Sequence, residues 1–192
     1  MLSGLREGDA LLVVDMQNDF CPGGALGVPE GDEIIPDLNN WMAHATALKV
    51  PVYTTRDWHP DNHISFTERG GVWPRHCIRG THGAEFHPAL RPSPGACIVS
   101  KATQPDVESY SAFGDTDLAD RLRAAGVKRV WIGGLATDYC VKETVLDAIR
   151  LGFEAHVIVD AIRAVNVRPG DGERALAEMQ RVGARIEVKR AA

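Results

Sequence analysis

The sequence predicts an α/β fold: a three-layer α/β/α sandwich around a mainly parallel six-stranded sheet. Three observations lead there. Six short runs rich in β-branched and apolar residues recur along the chain, at 10–15, 50–55, 96–101, 129–135, 154–160 and 185–189. Most are continuously apolar and do not alternate, as strands buried on both faces of a parallel sheet are. Helical patterns fall between them, and strands alternating with helices imply right-handed βαβ units.

Each element has its own signal. The run at 10–15 is Ala-Leu-Leu-Val-Val-Asp, apolar until its last residue. Residues 32–48 place Ile34, Ile35, Leu38, Trp41, Met42 and Ala45 at helical spacing. The second and third runs, 50–55 and 96–101, frame a stretch with little periodicity. That stretch, 56–94, holds five of the chain's seven histidines, and a loop so long inside a compact domain is usually functional. Helical patterns at 115–125, 138–151 and 172–182 are each followed by a glycine (Gly126, Gly152, Gly183), the usual C-terminal stop. No linker or internal repeat interrupts them, so residues 1–192 are expected to form a single domain.

Composition excludes several classes. The chain has 192 residues and a net charge of −5, which gives no electrostatic reason to expect nucleic acid or an anionic membrane as partner. With 44% hydrophobic and 24% charged residues it reads as globular and not disordered. Its longest apolar runs are far too short to span a bilayer. The start, Met-Leu-Ser-Gly-Leu-Arg-Glu, lacks a basic segment followed by an apolar one, so no signal peptide is expected. Four widely spaced cysteines (Cys21, Cys77, Cys97, Cys140) do not make a disulfide framework, and a reducing, cytoplasmic setting is expected.

In an open α/β sheet ligands bind at the carboxyl ends of the strands. There the sequence places Asp15, then Asp57 and His59, then Lys101, then Gly133-Gly134 running into Cys140. Thr137 or Asp138 suits a helix N-cap, which puts Cys140 in the first turn, where free N–H groups favour a thiolate and can hold an oxyanion. A cysteine in a helix also serves as a small buried hydrophobe, and that reading is about equally good on local context. Asp15 leaves a buried strand and needs a partner or a task. Lys101 beside a thiol and a carboxylate would hold the thiol ionised. Asp57 and His59, two apart on an extended segment, point the same way, and a further imidazole from the loop, His63 or His76, would complete a set of two imidazoles and a carboxylate with open positions, while loop histidines that hold no metal are an equally good reading of the spacing. His44, His82, His87 and His156 have no such company.

At this point the residues match a known pattern. Val14-Asp15-Met16-Gln17-Asn18-Asp19-Phe20, Arg56-Asp57-Trp58-His59-Pro60-Asp61-Asn62-His63, Trp73-Pro74-Arg75-His76-Cys77, Lys101, Tyr110-Ser111-Ala112-Phe113 and Gly134-Leu135-Ala136-Thr137-Asp138-Tyr139-Cys140-Val141 occur in the right order. The sequence resembles the nicotinamidases and pyrazinamidases of the isochorismatase-like cysteine hydrolase superfamily. The resemblance implies that Cys140 is the nucleophile, Asp15 the acid and base, and Lys101 the third member of a triad. It implies metal ligands Asp57, His59 and His76, with His63 at a position that is a ligand in some members and a neighbour in others. Leu135–Ala136 corresponds to the family's non-proline cis peptide, with the N–H groups of Ala136 and Cys140 as oxyanion hole. Phe20 and Trp73 correspond to walls on either side of a pyridine ring. One divalent ion (zinc, iron or manganese) and nicotinamide are the implied cofactor and substrate, pyrazinamide is a further candidate, and homo-oligomerisation is left open. Metal-free isochorismatase-like and carbamoyl-amide hydrolases share a similar triad, and the Asp-x-His with the later His is what sets this chain apart from them. The segment Gln104–Glu108 departs from the family, which often has an aspartate near the position of Glu108.

Overall fold

The structure is a computed structural model that describes residues 4–188. Its elements run β1 (Asp9–Val14), α1 (Ile35–Ala47), β2 (Val52–Asp57), β3 (Cys97–Lys101), α2 (Leu118–Ala124), β4 (Arg129–Leu135), α3 (Lys142–Arg150), β5 (Glu154–Arg163), α4 (Asp171–Arg181) and β6 (Arg185–Glu187). The six strands form one sheet of order β3-β2-β1-β4-β5-β6. Every pairing is parallel, so the expected mainly parallel sheet is parallel throughout. The last predicted strand, 185–189, ends at Glu187, and Lys189 lies outside the described residues.

Alternate residues of β1 feed two cores, one on each face of the sheet. Ala10, Leu12 and Val14 pack with residues of α2, α3 and α4, among them Leu118, Val145 and Met179. Leu11 and Val13 pack with Ile35, Leu38, Trp41, Met42 and Ala45 of α1. These α1 residues recur every three or four positions, so one stripe of the helix is buried while its other face meets solvent. Pro36 sits in the first turn of α1, where its missing N–H costs nothing. Gly126 and Gly152, just past α2 and α3, have φ of 71° and 89°, the left-handed conformation that ends a helix. Among the described residues no helix is long and apolar enough to cross a membrane.

The chain leaves β1 toward β2 and β3 on one side, then returns to lay β4 on the other. The strand order therefore reverses between β1 and β4, and a crevice opens at their carboxyl ends. Two features differ from the predicted elements there. β5 continues to Arg163, with a register shift against β4 between Ile132 and Gly134. The predicted helix 138–151 begins as a π-helical turn, Thr137–Val141, before α3 proper.

Candidate active site

Asp15 is the first residue beyond β1. It is fully buried and has φ of 48°, a conformation that costs a non-glycine residue about 1–3 kcal/mol. Thr55 of β2 secures it: the Thr55 hydroxyl donates to Asp15 Oδ1 at 2.6 Å, and the Asp15 N–H reaches the Thr55 carbonyl at 3.2 Å. Lys101, the last residue of β3, is also fully buried. Its Nζ lies 3.0 Å from Asp15 Oδ2 and 3.6 Å from Cys140 Sγ, and it donates to Asp57 Oδ1 and, at 3.3 Å, to the Ser109 carbonyl. Asp15 Oδ2 is held to the ammonium by charge, with no aligned hydrogen bond of its own. Asp15, Asp57 and Cys140 each bring one ligand-type atom within 4.8 Å of the others, around this cation.

Burial and charge set the protonation of the group. Burial opposes the Lys101 charge, but Asp15, Asp57 and Cys140 outweigh it and hold the ammonium well above the usual lysine range. Burial also works to raise Asp57, yet Lys101 and His59 overcome it and hold the carboxylate below its ordinary range. Asp15 comes out raised, chiefly by burial, with Lys101 opposing. Burial pushes the Cys140 thiol well up, Asp15 and Asp57 add to that, and Lys101 opposes. Burial and the two carboxylates thus work against the thiolate that the helix end favours, and Lys101 works for it.

Asp57 ends β2, and His59 follows two residues on. His76 comes from the long loop, and the three offer donor atoms within 4.8 Å of one another. His59 Nδ1 lies 3.2 Å from the Ala102 carbonyl, and His76 Nδ1 lies 2.8 Å from the Pro74 carbonyl. A carbonyl only accepts, so each Nδ1 carries the proton and each Nε2 presents a lone pair. Those two Nε2 atoms face each other at 3.2 Å, with Asp57 Oδ2 3.6 Å from His59 Nε2. Burial lowers the His76 pKa, which favours its neutral form. Two facing lone pairs beside a carboxylate repel unless a cation lies among them. Their spacing is near the ~3.3 Å edge of a tetrahedron with 2.0–2.1 Å metal–ligand bonds. The residues fit a divalent metal.

His63 stands beside this set. Its ring stacks on His59 at 4.1 Å, but its Nε2 is committed to the Val107 carbonyl at 3.0 Å and its Nδ1 to the Ser65 hydroxyl at 2.7 Å. The four histidines left out of the site lie elsewhere. His156, for example, sits between Glu154 and Glu187 at 3.0 and 2.7 Å.

The crevice is a cavity of about 270 Å³ lined by Phe20, Ala25, Leu26, Gly27, Val28, Asp57, Trp73, His76, Tyr110, Ala136, Tyr139, Cys140 and Val165. Phe20, Trp73 and Ala136 are among the residues that line it, and the Leu135–Ala136 peptide is cis. The Trp73 indole N–H donates to the Tyr110 hydroxyl at 2.8 Å, and Trp73 meets Tyr139 edge to face at 5.2 Å. Gly134 precedes this bend with φ of 123°, and a Cβ there would collide with the Val14 backbone. Neither Thr137 nor Asp138, the two candidates for the helix cap, fills that place, which falls to Ala136; Asp138 instead accepts the N–H groups of Val165 and Asn166 at 2.9 and 2.8 Å, and so fixes the Val165 wall. Sequence reasoning assigned no role to Tyr110, Tyr139, Val165 or the 25–28 segment. Tyr110 stood in a quoted motif, whereas residues 25–28 carry no chemical signature.

A three-layer parallel sheet with a buried thiol, ammonium and carboxylates at its switch point defines an α/β enzyme of the amidohydrolase class. Comparison with known proteins makes this specific. The Isochorismatase domain model matches residues 9–188. The nicotinamidase of Escherichia coli K12 is 42% identical over 198 residues, spanning 92% of this chain and 93% of that protein. A pyrazinamidase of Pyrococcus horikoshii, solved in complex with zinc, superposes with a TM-score of 0.91 at 53% identity, over 95% of this chain and 99% of that one. A structure from L. infantum in complex with nicotinate gives a TM-score of 0.89 at 34% identity, over 97% and 96%. The chain belongs to the isochorismatase family, in its nicotinamidase and pyrazinamidase group.

Proposed function

We propose that this chain hydrolyses nicotinamide to nicotinate and ammonia through a thioester on Cys140, with one divalent metal held by Asp57, His59 and His76. The observation that carries the reading is the position of Lys101 Nζ, between Asp15 and Asp57 and 3.6 Å from the sulfur of Cys140, which with Asp57 lines one largely apolar cavity. Asp15 takes the thiol proton, and Lys101 offsets the anionic charge that develops. The sulfur attacks the carboxamide carbon, and the N–H groups of Ala136 and Cys140 receive the oxyanion, an interaction worth about 2.7–4 kcal/mol per donor. Asp15 returns the proton to the departing nitrogen, which leaves as ammonia. Water then cleaves the thioester: Asp15 takes one of its protons and passes it to the departing sulfur, which restores the thiol and the Asp15 carboxylate, while nicotinate leaves and the second proton goes to solvent. Bound at Asp57, His59 and His76, the metal would supply a Lewis-acidic anchor for the pyridine nitrogen and for water. Phe20 and Trp73 hold the ring so that its carboxamide meets the sulfur. Released nicotinate would enter pyridine nucleotide salvage, and four unpaired thiols suit a reducing cytoplasm.

The test is ammonia release from nicotinamide, with pyrazinamide and a carbamoyl amide alongside, before and after chelation. Release from nicotinamide that is lost on chelation and restored by zinc, iron or manganese supports the whole reading. Turnover indifferent to chelation removes the metal from it, and turnover of the carbamoyl amide alone replaces the substrate.

A further inference from the structure

Gln17 lies three residues past the end of β1 and is fully buried. β1 and β2 pair in register only as far as Val13 and Thr54, and the last main-chain bond between them runs from the Asp15 N–H to the Thr55 carbonyl. At Asp15 the left-handed φ turns β1 away, so the main chain has no partner to offer Asp57. In a parallel ladder the N–H and C=O of one residue face the same neighbour. The Gln17 amide takes that neighbour's place. Its Oε1 accepts the Asp57 N–H at 2.8 Å, and its Nε2 donates to the Asp57 carbonyl at 2.8 Å and to the Ala84 carbonyl at 3.0 Å. The braced residue is the one whose two carboxylate oxygens face different groups, Oδ1 toward Lys101 and Oδ2 toward His59.

We propose that Gln17 is a positioning residue: its side chain acts as a one-residue strand that aims Asp57, and so sets the metal donors and the Lys101 ammonium together. The inference rests on the reading of Asp57 as both metal ligand and partner of Lys101. A glutamine that merely satisfied buried backbone would influence folding alone, so the readout must be metal affinity.

The experiment compares the full chain with Gln17→Met, which keeps side-chain length and loses all three bonds, and Gln17→Glu, which keeps the acceptor and loses both donors. Zinc affinity is measured by competition with a chromophoric chelator, beside melting temperature, kcat and KM. Zinc affinity is expected to fall about 10–100-fold, the usual cost of losing a group that orients a ligand, with kcat falling too. A folded variant that melts lower yet binds zinc and turns over like the parent overturns the inference. If Gln17→Met does not fold, Gln17→Glu is judged by the same two outcomes. Asp57→Ala is the control. If it binds zinc as tightly as the parent, the reading of the metal site fails. If it weakens zinc while the Gln17 variants do not, only the role of Gln17 fails.

Discussion

Lys101 Nζ stands 3.6 Å from the sulfur of Cys140, with the Asp15 carboxylate 3.0 Å from the same nitrogen. One buried cation thus touches both the thiol and the carboxylate between which the proposed mechanism passes a proton. In that mechanism the charge formed on ionisation of a thiol whose pKa burial raises appears beside a fixed ammonium, in surroundings where electrostatic interactions are strong.

Cys140→Ala should lower kcat by at least about 10³-fold, as loss of a nucleophile that works as part of a unit does. Circular dichroism and zinc content should match the parent. Turnover within tenfold of the parent would remove the covalent route.

In the proposed mechanism the acid side of the pH profile reports Asp15, which must be ionised to accept the thiol proton and whose pKa burial raises. Activity should therefore fall, as pH drops, through a limb lying above the ordinary aspartate value of about 4. Asp15→Asn should abolish turnover across the range. A limb in kcat/KM at or below 4 contradicts the assignment.

Lys101→Met should destabilise the fold as well as stop the reaction. It leaves Asp15 and Asp57 buried without their cation, at a cost of about 3–5 kcal/mol and roughly 10 °C in melting temperature. Asp57 has its pKa depressed in the fold, so the stability it contributes is present above about 4 and is lost as pH falls below that. In the variant both carboxylates protonate more readily, and the deficit against the parent should shrink toward acid pH. A deficit that does not change with pH would show that packing, not charge, is lost. Thermal melts between pH 4 and 8 check this.

Asp138→Ala should release the segment that carries Val165, since two hydrogen bonds from its N–H groups to a carboxylate are lost, each worth about 1.5–3 kcal/mol. KM for nicotinamide should rise several-fold while zinc affinity is kept. Unchanged KM would mean that Val165 does not touch the substrate.

The six strands were legible because most are continuous apolar runs, and the sheet-edge rule then led to Asp15, Lys101 and the approach to Cys140. What sequence could not reveal depends on contacts across distance. The π turn at Thr137–Val141 differs from an α-helix start by a single residue per turn, which no periodicity over five residues resolves. The raised thiol of Cys140 follows from burial in the core that α2, α3 and α4 cover, whereas local reading weighed only the helix end and the lysine. His63 differs from His59 and His76 in that its Nε2 is taken by the Val107 carbonyl, 44 residues away, while its Nδ1 meets the Ser65 hydroxyl. The family motifs placed Trp73 and Phe20 in the wall, but residues 25–28 reach the cavity only because the chain doubles back after Phe20, where the Leu26 N–H bonds the Asp19 carbonyl at 2.9 Å.

The two oxygens of Asp57 also limit how this scaffold can be re-engineered. A designer who wants a different ion at the proposed metal centre has three proposed ligands to vary, but position 57 is not free: altering it removes one of the two anions that neutralise Lys101. Metal preference and nucleophile activation therefore cannot be tuned separately through that residue. The independent handles are His59 and His76, together with the carbonyls of Ala102 and Pro74 that hold their rings in place.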